Sequence, residues 1–328
     1  MDTTPNNYGF KIKPDLCVYA KTPENRTLGT SCSLAELFIE VKKSASSDPF
    51  NDDAQPDTNG KLRFIKQTKE AQETIGQIST YVAFQMGSQY RTHTFFILVT
   101  GLYARLLRWD RSGVVVTERF EYNKQHHLFS FFELFNAATP CIRGWDESVS
   151  VPSKQEQAAA LEVCPDLPQN DPLLVVEICA AGQAKPRRYV VTSPRPEPSL
   201  PIGRLTRTSI AYDVQDKKRV FMKDSWRVKA AGCLMEGKVY QILNDGSVPN
   251  VPTCLDFCDV GSEEHHQTHT QLIARSLAVA SDHQFNTHRH HRLILDTVGK
   301  KLNCFKSSRG LVKAINDAII GMKFVLMF

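Results

Sequence analysis

An α+β fold in two parts is what this sequence predicts, and three observations predict it. Strand-like and helix-like periods alternate up to about Val151, then proline, glutamine and acidic residues cluster from Val151 to Pro172. Beyond that cluster, short strands recur around one helical segment. We expect a mixed α/β domain over 1–150, a linker or crossover over 151–186, and a strand-rich domain over 187–328. A chain of 328 residues, 41% hydrophobic and 23% charged, is long enough to bury two such cores.

In the first part, strands are expected at 12–20, 34–42, 94–100, 104–109 and 114–120. The stretch 44–60, rich in Asp, Asn, Ser and Pro, reads as a loop. A long helix is expected over 64–90, because Ile75, Ile78, Val82 and Met86 recur at spacings of three and four and build one apolar face. Asp110-Arg-Ser-Gly113 supplies hairpin chemistry between two β-rich runs. In the second part, strands are expected at 173–179, 189–192, 209–214, 220–223 and 292–296, with a helix over 234–243 closed by Gly246. Pro201 cannot donate to a ladder, so the strand before it should end early.

The net charge of +5 permits an acidic partner such as a nucleotide or nucleic acid without demanding one. Nine cysteines in no regular framework, behind an N-terminus lacking a basic and then apolar leader pattern, are expected to be reduced thiols of a cytoplasmic or nuclear protein. The most apolar run, 319–328, is about half the roughly 20 residues a membrane span needs, so no membrane association is expected. Seven of the ten histidines lie between His265 and His291, near Cys254 and Cys258. Their spacing matches no standard zinc finger, and the region reads as a solvated polar loop.

Two residue sets carry chemistry. In the first part, Pro14-Asp15 is followed by Glu40-Val41-Lys42 at a strand end and by Gln77-x-x-x-Tyr81 on the long helix. Asp15 and Glu40 could share a divalent metal from neighbouring strands, while Lys42, two residues on, shares the Glu40 face and could orient a water. Gln77 and Tyr81, one turn apart, would face the same place. This ordered set resembles the PD-(D/E)xK nuclease superfamily, which implies metal-dependent cleavage of nucleic acid or a binding domain derived from that fold. The opening helix of that fold has no room here. The alternative is a surface aspartate and a solvated strand end.

In the second part, Lys223 ends an apolar strand and Glu236 follows on a helix that carries Val239, Ile242 and Leu243. Gly203 is the single glycine of the preceding turn, with Arg204 and Arg207 as its phosphate contacts or merely solvated cations, and 296–298 follow the last strand. This order resembles the small lobe of a protein kinase, in which a strand lysine and a helix glutamate hold the ATP phosphates. Joined with Phe38-Ile-Glu-Val-Lys42, Gly76-Gln-Ile-Ser-Thr-Tyr81, Arg91-Thr-His-Thr94, Ala104 to Gly113, Gly203-Arg-Leu-Thr-Arg207, Lys223-Asp-Ser-Trp-Arg227 and Phe305-Lys-Ser-Ser-Arg309, it resembles the fungal-type protein kinase family along most of the chain.

The resemblance implies ATP- and magnesium-dependent serine/threonine phosphorylation of a protein substrate. Lys223 and Glu236 would be the nucleotide pair, Gly203 the loop glycine, and the backbone of Asp296 and Val298 the adenine contact. No His-Arg-Asp or Asp-Phe-Gly tripeptide occurs, so we expect an incomplete large lobe, no phosphotransfer, weakened or lost nucleotide binding, and a marginally stable chain. Three readings stay open: a truncated pseudokinase, a metal-dependent nuclease relative, and a scaffold that binds partners of full-length kinases.

Overall fold

The computed structural model describes residues 12–21, 31–55, 58, 63–179, 185–195, 200–276 and 286–325. It is a mixed α/β structure with two sheets, divided into two compact units. The first comprises 1–147, 194–205 and 262–288, and the second 148–193, 206–261 and 289–328. The expectation for 1–10, and that for His283 within the histidine-rich region, lie outside the described residues.

The first unit is built on β1 (Leu16–Tyr19), β2 (Ala35–Lys42), β3 (His93–Thr100), β4 (Tyr103–Asp110), β5 (Gly113–Val116) and β6 (Phe120–Glu121). Their order is β1-β2-β3-β4-β5, with β6 also on β4. Strands β2 and β3 run parallel, so the chain must cross over between them, and α1 (Lys69–Ser88) makes the crossing. The Thr68 side chain accepts the Ala71 N–H at 3.3 Å and starts this helix. Side chains alternate along β2: Phe38 packs with Ile78, Val82 and Met86 of α1, whereas Leu37 and Ile39 pack with Phe135 of α2 (His127–Ala137) on the opposite face. The result is a sheet between two helical layers. Helix α2 was not expected from the sequence. Within the expected loop, the segment 48–52 is better packed than its composition suggests, because Asp48 and Phe50 are buried and the Arg105 guanidinium binds Asp48 at 2.8 Å and Asp52 at 2.6 Å.

In the second unit seven strands form one sheet in the order β12-β13-β11-β10-β9-β8-β7. They are β7 (Val149–Ser150), β8 (Leu173–Ile178), β9 (Arg187–Thr192), β10 (Arg207–Asp213), β11 (Lys218–Val228), β12 (Cys254–Asp259) and β13 (His288–Leu295). Within the stretch expected to be a linker, α3 (Lys154–Val163) is closed by a capping box in which Ser153 and Glu156 exchange bonds, and its Ala160 is buried with Val175, Val190 and Tyr212. Helix α4 (Glu236–Asp245) precedes β12. Its end is made by Ser247 at φ +51 rather than by Gly246 at φ −75, with the Val248 N–H on the Leu243 carbonyl at 2.9 Å.

The first unit regains the chain at 194–205 and at 262–288, where α5 (Glu263–His266) and α6 (Thr270–Ser276) lie. The Asp110 carboxylate accepts the N–H groups of His269 and Thr270 at 2.7 and 2.9 Å, and Ser112 Oγ donates to Thr268 Oγ1 at 2.6 Å. Both residues sit at the β4–β5 hairpin that Asp110-Arg-Ser-Gly113 predicted. Helix α7 (Ser308–Val325) belongs to the second unit. No helix among the described residues is long and apolar enough to cross a membrane.

The histidine-rich region corrects the solvated-loop expectation. His288, His290 and His291 are buried in β13, because His290 Nε2 pairs with the Asp224 carboxylate at 3.0 Å and stacks on Trp226, and His291 Nδ1 meets Asp259 at 3.0 Å. Hydrogen-bonding carboxylates and a stacked flat ring let a strand bury residues that alone would stay in water.

Candidate functional site

Strand β11 pairs with β10 from Lys218 to Asp224, and Lys223 stands opposite Thr208. Val220, Met222, Asp224 and Trp226 fill the buried face, which turns Phe221 and Lys223 to the other. Helix α4 then begins at Glu236, and the Lys223 ammonium lies 2.7 Å from both Glu236 carboxylate oxygens. The side chains are 23% and 31% exposed, so the ammonium is both fixed and within reach of a ligand. Glu236 stands in the first turn of α4, a favourable place for an acidic side chain at the N-terminus of a helix. The next residue is glycine for a steric reason. A Cβ on Gly237 would fall 2.1 Å from Phe257 Cγ, so the first turn of α4 seats directly on β12.

At the far end of β13, Asp296 and Thr253 exchange bonds: the Asp296 N–H donates to the Thr253 carbonyl at 3.0 Å, and the Thr253 N–H to Asp296 Oδ1 at 2.9 Å. Burial works against the Asp296 carboxylate, but hydrogen bonds from Thr297 and Thr253 outweigh it and hold its pKa below the usual range. Val298 is half-buried just beyond.

Gly203 lies in 194–205, which packs with the first unit, whereas Lys223, Glu236, Asp296 and Val298 belong to the second. Its φ of +97 requires glycine. Its N–H donates to the Arg111 carbonyl at 2.8 Å, its own carbonyl accepts from Arg111 Nε at 3.0 Å, and Arg111 Nη2 reaches the Leu200 carbonyl at 3.3 Å. The turn is thus held on the β4–β5 hairpin. Arg204 is exposed and Arg207 opens β10.

The first unit brings the other five sequence-derived residues together. Asp15 immediately precedes β1, and its Oδ2 accepts the Val41 N–H at 2.8 Å across the β1–β2 edge. Glu40 and Lys42 share the α1 face of β2, and Lys42 Nζ donates to Glu40 Oε1 at 2.5 Å and to Gln77 Oε1 at 2.6 Å. Gln77 Nε2 then meets Tyr81 Oη at 2.7 Å, and Tyr81 Oη donates to the Lys13 carbonyl at 2.9 Å. The spacing i,i+4 on α1 is what stacks Gln77 and Tyr81 on one side. Glu40 is 2% exposed, and its second oxygen, Oε2, is buried with no hydrogen-bond partner among the described residues. Burial, with the Asp15 charge adding to it, pushes the Glu40 pKa up against the opposing pull of Lys42.

The sequence reading missed a buried charge cluster in the second unit. Asp224 accepts from His290 Nε2 at 3.0 Å and from Arg292 Nε at 2.8 Å, and Arg292 Nη1 continues to Ser148 Oγ at 2.6 Å. Burial opposes the Asp224 carboxylate, but the His290 and Arg292 charges prevail and hold its pKa far below the usual range. The signal that could have found it is the alternation His288, His290, Arg292, which places all three on one side of a strand.

Compared with known proteins, residues 37–327 match the family model described as fungal protein kinase. No curated protein and no solved structure matches the chain.

Proposed function

The chain belongs to the fungal protein kinase family, and from that premise we propose that its second unit binds ATP with Lys223 and Glu236 as the phosphate-anchoring pair. The observation that carries the reading is the two-pronged contact of 2.7 Å from one ammonium to both oxygens of one carboxylate. The lysine stands on a strand and the glutamate on the helix that follows, the arrangement with which kinases hold the α- and β-phosphates. Family membership implies that magnesium accompanies the nucleotide, neutralising charge on the phosphates when bound. The backbone of Asp296 to Val298 would meet the adenine, with the Asp296 N–H already given to Thr253. Gly203 is committed to Arg111, so we assign the phosphate contact to Lys223 rather than to a glycine-rich cradle.

The 328 residues contain no His-Arg-Asp or Asp-Phe-Gly tripeptide, and we propose that they hold nucleotide without transferring its phosphoryl group. Titrating the chain with a fluorescent ATP analogue and magnesium tests this. We expect saturable binding that Lys223→Met weakens at least tenfold and no phosphate in a generic protein substrate. Equal affinity in Lys223→Met sinks the anchoring role, and phosphate incorporation sinks the second claim. The nine free cysteines support an intracellular, reducing setting.

The unpartnered Glu40 Oε2 favours a second reading, for the first unit. Asp15 and Glu40 would hold a divalent cation, the hard oxygen donors suiting magnesium or manganese. Such a cation, when bound, polarises a phosphodiester and acidifies water. Lys42, steered by Gln77 and Tyr81, would position the attacking water. Calorimetry with manganese, wild type against Glu40→Gln, and magnesium-dependent cleavage of DNA test this reading. It fails if manganese binding is absent or equal in the two proteins.

A further inference from the structure

We propose that α7 is a docking surface for an amphipathic helix of another protein, one that is acidic beside its apolar seam. Helix α7 is fixed to the second unit by one face: Asn250 Nδ2 donates to the Asp317 carbonyl at 3.0 Å, and Gly321 is buried so close to Pro249 that a Cβ on it would fall 3.1 Å from the Pro249 carbonyl oxygen. Val312, Ile315, Ile319 and Met322 stand on the opposite face and are between 45% and 65% exposed. Four large apolar side chains in line are what a helix normally buries.

The spacing chooses the shape of the partner. Steps of three, four and three residues separate the four side chains, a strict a/d repeat, which is the narrow seam that takes one helix rather than the wider stripe that packs on a sheet. Beside the seam, the e positions hold Arg309, Asn316 and Lys323, and the g position next to Ile319 holds Ala318. The small Ala318 leaves room on one flank, and the cations reach for acids on the other.

Charge chooses the partner's chemistry. From 300 to 323 the chain carries Lys300, Lys301, Lys306, Arg309, Lys313 and Lys323 against the single carboxylate of Asp317. A second copy of this chain is a poor occupant. Laid antiparallel, it sets e against e, so that Arg309 of one copy meets Lys323 of the other; laid parallel, it sets Lys323 against Ala318. Glutamates or aspartates on the flank of a foreign helix pair with both cations. Val312 to Met322 spans about 15 Å, so the contact is small and reversible, in the class of transient interfaces. Helix α7 holds neither residue of the nucleotide pair, and the proposal stands apart from both the nucleotide and the cation readings.

A fluorescein-labelled four-heptad peptide, with Ile and Leu at its a and d positions and Glu at every e and g, tests the surface by anisotropy on the full chain. Its twin carries Lys in place of each Glu. We expect saturable binding of the Glu peptide, at least tenfold weaker binding of the Lys peptide, and at least tenfold loss for the Glu peptide in Ile319→Asp, an exposed position whose change should leave the urea midpoint in place. The double reversal Arg309→Glu with Lys323→Glu should invert the preference between the peptides, which keeps the test decisive should Ile319→Asp unfold. The proposal is overturned if the Glu peptide does not bind, if the two peptides bind equally, or if Ile319→Asp binds like wild type. It is overturned as well if sedimentation velocity finds the chain paired with itself through Ile319, or if phosphatidylserine vesicles and not the Glu peptide take up the chain.

Discussion

Gly237→Ala should break the second unit's candidate site without touching either residue of the pair. The new methyl would sit 2.1 Å from Phe257 Cγ and 2.5 Å from its Cβ and Cδ1, atoms at the root of the ring that cannot swing aside. Restoring ordinary contact at about 3.5 Å requires the first turn of α4 to retreat by roughly 1.5 Å. Glu236 is the first residue of that turn, so its 2.7 Å contacts with Lys223 would stretch to about 4 Å. Overpacking of this kind costs about 1–3 kcal/mol, and the better helix propensity of alanine returns at most about 1 kcal/mol. The partly exposed ion pair adds less than about 1 kcal/mol. A net loss of about 1–2 kcal/mol lowers the melting temperature of a unit this size by roughly 3–6 °C. Urea unfolding and calorimetry measure the stability, and nucleotide titration measures the pair. In a Phe257→Gly background, which removes the ring and the Cβ at 2.5 Å, the Gly237→Ala penalty should vanish, and in a Phe257→Ala background it should only shrink. A Gly237→Ala protein as stable as wild type, with unchanged nucleotide affinity, refutes the reasoning.

Three more outcomes are expected. Asp224→Asn should flatten the acid limb of the stability curve: the folded carboxylate is held below its unfolded value, so it stabilises above about pH 4 and that contribution is lost as pH falls, which urea melts at pH 3 and 7 will show. Arg105→Met should cost about 3–5 kcal/mol, because Asp48 is left buried without its partner, and a loss below about 1 kcal/mol by urea unfolding contradicts this. Glu40 has the opposite sign to Asp224. Its folded pKa is raised, so its contribution is full below its unfolded value and lost as pH climbs through the folded one. Glu40→Gln should therefore gain stability relative to wild type between pH 4 and 8, and added manganese should erase the gain.

Strong local periodicity is what the sequence displayed openly. Strands β2, β3 and β4 and helix α1 lie within a few residues of expectation, because unbroken apolar runs and three-four spacing survive any tertiary context. Lys223 and Glu236 were readable for the same reason: a strand followed by a helix fixes which side chains can meet. Helix α3 was hidden by composition. Proline and acids around Val151 to Pro172 read as a linker, although Ser153 and Glu156 spell a capping box. Strand β12 carries two acids in six residues, and its burial comes from pairing with β13, which no local pattern announces. The buried histidines were illegible because their partners, Asp224 and Asp259, are 66 and 32 residues away in sequence.

The return of 262–288 to the first unit sets a timetable for synthesis. While the ribosome is still adding residues after 147, the β4–β5 hairpin exists but the amides that Asp110 will bind, those of His269 and Thr270, have not been made. At about 5–20 residues per second the hairpin carboxylate waits on the order of ten seconds for them. During that interval the nascent first unit is an unfinished object that a chaperone or a protease can recognise. A gene cut at residue 150 would freeze it there, and such a fragment should unfold more readily than the same unit within the whole chain.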